Sequence, residues 1–184
     1  RCLGINSDTA DIWVEPTPVV SLDPVTDTIC DGDEIAIALI SPTGPTRPVE
    51  FEYAIVPDNP GSVVLAPPTG STGLSKQDTI RHTIDNTSDT AQFVAFRVVP
   101  YTIDASGFKH CLGDTVVSGI WVEPTPVALI QPVADTLCDS TEVHLVLDGP
   151  TGPTRPVQYE YTIVNDYPAE VIITPAGGQP AMNK

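Results

Sequence analysis

The chain repeats itself, and that constrains its fold more than any other feature. The octapeptide Ile-Trp-Val-Glu-Pro-Thr-Pro-Val stands at 12–19 and returns letter for letter at 120–127. Thr-Gly-Pro-Thr-Arg-Pro-Val at 43–49 returns at 151–157, and Asp27-Thr28-x-Cys30-Asp31 returns as Asp135-Thr136-x-Cys138-Asp139. Glu52-Tyr53-x-Ile55-Val56 returns as Glu160-Tyr161-x-Ile163-Val164, and all four blocks share one offset of 108 residues. Cys2-Leu3-Gly4 recurs as Cys111-Leu112-Gly113 at 109, so one residue is inserted there. Similarity at a fixed period marks stacked structural units. In this phase one complete repeat fills 17–124, residues 1–16 are the final strand of a preceding repeat, and 125–184 are the first half of the following one. Starting and stopping inside a repeat, the sequence reads as an excerpt of a longer tandem array.

Each unit reads as strands. Ile35, Ile37 and Leu39 alternate, and their counterparts Val143, Leu145 and Leu147 stay apolar while Ala36 becomes His144, which marks the inward face. Phe51, Tyr53 and Ile55 match Tyr159, Tyr161 and Ile163, with Glu52 and Glu160 facing out. Further strands are expected over 93–102 and 114–122, separated by turn clusters such as Pro42-Thr43-Gly44-Pro45 and Asp58-Asn59-Pro60-Gly61. No stretch carries a helical period. About seven short strands per unit predict an all-β chain of tandem antiparallel sandwiches of immunoglobulin-like type. Tyr53 takes the place where antibody domains carry a core Trp.

Charge and motifs narrow the function. The chain of 184 residues has 8 basic and 24 acidic side chains, a formal net charge of −16. Nucleic acid and anionic membrane surfaces gain nothing from such a partner, and no apolar run reaches the ~20 residues of a membrane helix. No nucleophile elbow, phosphate loop or HExxH segment is present, and His82, His110 and His144 fall on separate segments, so no catalysis is expected.

The junction between units is Glu-Pro-Thr-Pro with no Gly/Ser linker. Prolines fix φ and hold their predecessors extended, so the connection is expected to be short and stiff. Arg47 and Arg155 recur in the loop expected at the end facing the preceding unit. Arg155 is therefore expected to meet Asp31, Asp33 or Glu34 of the acidic turn across the junction, as an exposed pair contributing only about 0–1 kcal/mol. The same Asp31, Asp33 and Glu34 are a weak Ca²⁺ candidate; the second copy, Asp139-Ser140-Thr141-Glu142, loses a carboxylate, and a solvated turn is the simpler expectation. No cofactor is otherwise expected.

The order of EPTPV, TIC-D-G-D-E, EY-IV, F-V-FRVVPYT, C-LG-D-T-VV and WVEPTPV resembles the PKD-like immunoglobulin-fold repeats of large Bacteroidota surface and gliding adhesins. The resemblance implies export and a spacer or adhesive role at the cell surface. It also implies disulfides among Cys2, Cys30, Cys111 and Cys138. Pairing Cys30 with Cys111 inside one unit is the simplest connectivity, but the two precede strands at opposite ends of the sandwich. A bridge needs Cα atoms within about 7 Å, whereas strands of ~7–10 residues separate the ends by ~20–30 Å. A staple from Cys30 of one unit to the Cys111-type residue of the next, a bridge within the unit, and free thiols all remain open. Asp-Thr followed by a small or aliphatic residue, at Thr9, Thr28, Thr79, Thr90, Thr115 and Thr136, is similar to the O-glycosylation acceptor pattern of exported Bacteroidota proteins.

The expected function is a structural repeat of an extracellular fibre or long surface adhesin, whose partners are neighbouring repeats of the same chain or identical chains. A carbohydrate- or surface-binding module is one alternative, needing a solvent-facing row of aromatics. A filament subunit that exchanges strands between chains is the other.

Overall fold

A computed structural model describes residues 10–133, 135–164, 166 and 182–183. The complete unit is built from two sheets. One has the order β1 (Ser21–Asp23), β3 (Glu34–Ile40), β7 (Thr79–Asn86), β5 (Val63–Ala66). The other has the order β2 (Thr26–Cys30), β10 (Val116–Glu123), β8 (Gln92–Ile103), β4 (Val49–Pro57), β6 (Leu74–Ser75), with β9 (Lys109–Leu112) also on β8. Every pairing is antiparallel except β2 with β10. The opening strand is thus split, β1 joining the first sheet and β2 crossing to the second, which is an immunoglobulin-like sandwich.

The predicted inward faces are the core. Ile35, Ile37 and Leu39 of β3 and Val49 and Phe51 of β4 meet Ile80 and Ile84 of β7, Val94, Phe96 and Val98 of β8, and Ile120 and Val122 of β10. Alternation with period 2 is what lets each strand contribute one face to this layer. Tyr53 is only half-buried, and its hydroxyl hydrogen bonds to Nε2 of His82 at 2.8 Å. His82 is fully buried, with Nδ1 2.8 Å from the Pro67 carbonyl. An imidazole between two hydrogen-bond partners in the core is a feature the strand reading did not anticipate.

The second copy repeats part of this pairing in the same register, while Val143 and Leu145, the counterparts of buried Ile35 and Ile37, are exposed. β11 (Leu129–Gln131) pairs with β12 (Val146–Asp148), and β13 (Gln158–Tyr159) with β14 (Met182–Asn183). The pairs Leu129↔Asp148 and Gln158↔Asn183 are Ser21↔Ile40 and Glu50↔Ser75 moved by one repeat. Cis peptides precede both Pro24 and Pro132. Gly32 and Ser140 both have positive φ, 78° and 64°, in equivalent turns closed by Asp33 N to Cys30 O and Thr141 N to Cys138 O.

Candidate functional site: the seam between repeats

Glu123 closes β10 and is buried, although carboxylates are almost never buried without partners. Its partners lie in the next repeat. The Thr154 backbone N–H donates to Oε2 at 2.8 Å, and the Thr154 hydroxyl donates to Oε1. One repeat earlier, Glu15 receives the same two bonds from Thr46, the backbone one again at 2.8 Å. Beside this clasp, Val127 N–H donates to Thr151 Oγ1 at 3.4 Å and Val19 N–H to Thr43 Oγ1 at 3.2 Å. The two longest repeated motifs are therefore the two halves of one fastening. Glu-Pro-Thr-Pro-Val supplies the acceptor carboxylate of its glutamate and the donor amide of its valine, and Thr-Gly-Pro-Thr supplies two threonines. The bonds to Thr46, with Arg47 nearby, hold the Glu15 carboxyl below the usual carboxylate range.

Around the clasp, the loop at 151–155 lies against the end of the complete unit. Gly152 N–H donates to Asp89 O at 2.6 Å, and Thr90 and Gly152 form a parallel bridge. Asn86 ties the receiving surface together: its side-chain amide donates to Val122 O at 2.9 Å and to Thr90 O at 2.8 Å. Thr125 Oγ1 donates to Asp31 Oδ2 at 2.8 Å, joining the linker to the acidic turn.

The expected ion pair is corrected in its acceptor. Arg155 does reach across the seam, but its guanidinium donates to the Thr28 carbonyl at 2.8 Å. The carboxylates it was assigned are engaged elsewhere. Asp31 accepts from Asn86 N and Thr125, Asp33 from Cys30 N at 3.1 Å, and Glu34 pairs with Arg81 at 2.5 Å. Arg47 is half-buried beside the first clasp. The dispersal of Asp31, Asp33 and Glu34 also bears on calcium: no group of three potential ligands forms among the described residues.

Cys30, Cys111 and Cys138 carry free thiols, and Cys2 lies outside the described residues. The bridge within one unit is ruled out by register. Cys30 pairs with Glu123 at one end of the sheet, opposite the start of β8. Cys111 lies in β9 against the last residues of β8, about ten residues or ~33 Å away. His110, beside it, is held by Asp104 at 2.9 Å, and that contact is the main reason the Asp104 carboxyl falls to about 2. Of the acceptor candidates, Thr79, Thr90, Thr115 and Thr136 are exposed, Thr28 is half-buried at the seam, and Thr9 lies outside the described residues.

Of the aromatic row needed by a binding module, Trp121 lies against Phe93 on the outer face of the second sheet, ring centroids 5.2 Å apart, while the exposed Trp13 and Phe108 stand on other segments. A Cβ at Gly119 would meet the Phe93 ring at 2.7 Å, so the glycine is what lets that ring lie on the sheet.

No family model matches the chain, and no curated protein does. Among solved structures it is similar to SSP-19, an MSP-domain-like protein of Caenorhabditis elegans, at 15% identity over 55% of this chain and 97% of that one, TM-score 0.38. It is also similar to a chain of the chaperone–tip adhesin complex of CFA/I fimbriae, at 10% identity over 61% of this chain and 60% of that one, TM-score 0.36. Domains 4 and 5 of the S-layer protein SbsC give 9% identity over 59% of this chain and 53% of that one, TM-score 0.34. Such scores carry nothing about function.

Proposed function

We propose that this chain is a structural module of an extracellular fibre or long cell-surface adhesin, in which sandwiches run in series and are held end to end at fixed angles. The observation that supports this reading is the clasp itself: the same Glu–Thr fastening appears at two successive junctions, at Glu15–Thr46 and Glu123–Thr154. A flexible linker would have no use for a buried carboxylate. The parallel pairing of β2 with β10, five residues long, adds a mechanical argument. The chain enters near β2 and leaves through β10, so tension along the array shears this pair and loads its hydrogen bonds together. The charge of −16 keeps such arrays apart in solution. The reading includes export, and short O-glycans on the exposed Thr79, Thr90, Thr115 and Thr136; intact mass above the sequence mass by sugar increments tests the latter.

Residual dipolar couplings test the rigid seam. Couplings from 21–123 and from 129–159 are expected to fit one alignment tensor in the native chain and two in Glu123→Ala. Two tensors in the native chain would overturn the stiff-array reading. Two hydrogen bonds to a carboxylate are each worth about 1.5–3 kcal/mol, more than the thermal energy that would bend the junction.

A further inference from the structure

The outer face of the second sheet is apolar in a chain that is otherwise strongly acidic. Its centre is a grid of outward positions on three neighbouring strands, fixed by ladder register. Trp121, Gly119 and Val117 stand on β10, beside Phe93, Ala95 and Arg97 on β8. Asp58, Val56 and Ala54 complete the grid on β4 and just past its end, where Asp58 N–H donates to the Phe93 carbonyl at 2.9 Å. Trp121, Val117 and Val56 are 42%, 43% and 38% exposed, although Ile120 and Val122 on β10 are fully buried. With a net charge of −16 on the chain, this grid holds one carboxylate and one cation. Both Asp58 and Arg97 are exposed, and neither takes part in an ion pair among the described residues. Arg97 is the ladder partner of Ala54, so Asp58 lies four residues further along, about 13 Å, too far to pair within one chain. An exposed aromatic pair, flanking valines and an uncommitted arginine have the composition of a protein interface core.

We propose that this face pairs with the same face of a second copy about a two-fold axis that runs across the strands through Ala95 and Gly119. The operation reverses strand direction, so each β8 lies end for end over its counterpart. Arg97 of one chain then comes over the Phe93 ring and beside Asp58 of the other, and Val117 covers Trp121, each contact occurring twice. The tip of the Phe93 ring lies over Gly119, which puts it at the axis against its own copy. Charge complementarity selects the occupant: the cation and the carboxylate that stand apart in one chain are brought together by the symmetry, and the guanidinium also meets an aromatic face. The valines and the alanine floor favour a protein over a sugar ring, whose hydroxyls ask for polar partners. The patch is small, so one unit pairs weakly. Repeats in series add such contacts, and the avidity of several units ties two arrays side by side. The pairing uses the complete unit alone, so it stands or falls separately from the seam.

Sedimentation equilibrium of the native chain is expected to show a monomer–dimer equilibrium. Arg97→Glu lowers the association constant at least about tenfold, and so does Asp58→Arg, although the latter reduces the net negative charge. The double variant Asp58→Arg, Arg97→Glu rebuilds the pair with its signs exchanged and recovers dimerisation. All three positions of the comparison are read against melting temperatures at dilution, which stay unchanged because both side chains are exposed. A native chain that is monomeric up to about 1 mM, a double variant no better than the single ones, or Asp58→Arg strengthening association, overturns the proposal. A monomeric chain whose tryptophan fluorescence shifts on adding cellohexaose makes the face a glycan platform and overturns it too. None of these results touches the seam couplings, so the spacer reading is judged apart.

Discussion

His82 shows how one residue sets the acid tolerance of the unit. Its ring is enclosed by Tyr53, Phe96 and the Pro67 carbonyl, with no charged group among these neighbours. Burial is the main cause that lowers its pKa below the ordinary imidazole value, partly offset by the bond to Pro67. The unfolded chain therefore binds a proton that the folded chain refuses. Stability from this group is full above the unfolded value of about 6.5 and falls as pH drops through it toward the lowered folded value. Urea midpoints are expected to decline between about pH 7.5 and 5.5 for the native chain, and His82→Gln, less stable at neutral pH, is expected to lose that slope. Thr102 gives a test of opposite sign. Its hydroxyl is buried without a hydrogen-bond partner. Thr102→Val keeps the shape and removes the orphaned group, so a gain of about 1 kcal/mol in denaturant unfolding is expected.

At the scale of elements, one close approach fixes where the incoming linker runs. A Cβ on Gly113 would lie 2.0 Å from the Pro18 carbonyl, so the incoming linker crosses the break between β9 and β10 only over a glycine. Gly113→Ala is expected to cost roughly 1–3 kcal/mol, measured by thermal unfolding, because a backbone atom cannot step aside as a side chain can. Gly4 at the matching place of the Cys-Leu-Gly motif was the visible sign of this need. β2 illustrates a different limit. Three of its five residues are the same in the second copy, yet the described part of that copy, 135–138, forms no ladder. Strand propensity is a statement about neighbours as much as about residues.

For the molecule as a whole, the seam carries the prediction that matters for function. Glu123→Gln keeps an acceptor oxygen and the shape, whereas Glu123→Ala removes both bonds. Small-angle scattering is expected to show a fixed maximum dimension for the native chain and for Glu123→Gln, and a broadened distance distribution for Glu123→Ala. Lowering the pH has a related effect at the first junction. Glu15 has a depressed pKa, so its clasp is intact above the usual carboxylate value of about 4.3 and is lost as pH falls through the lower folded value.

The sequence by itself determined the period, the sandwich class and the inward face of each main strand, because two copies under one constraint reveal which positions must stay apolar. It also placed the shared chemistry at the junction. Only the tertiary structure decided which atoms meet there. Charge arithmetic pointed to Arg155 and the acidic turn, but a carboxylate at a dehydrated junction takes the donors that its backbone path brings to it. Those donors are the amide and hydroxyl of Thr154, separated from Glu123 by 31 residues. The acidic turn meanwhile satisfies its own backbone and the linker threonine. Repetition records that a contact is needed; the directions of hydrogen bonds, set when the strands close, record with whom.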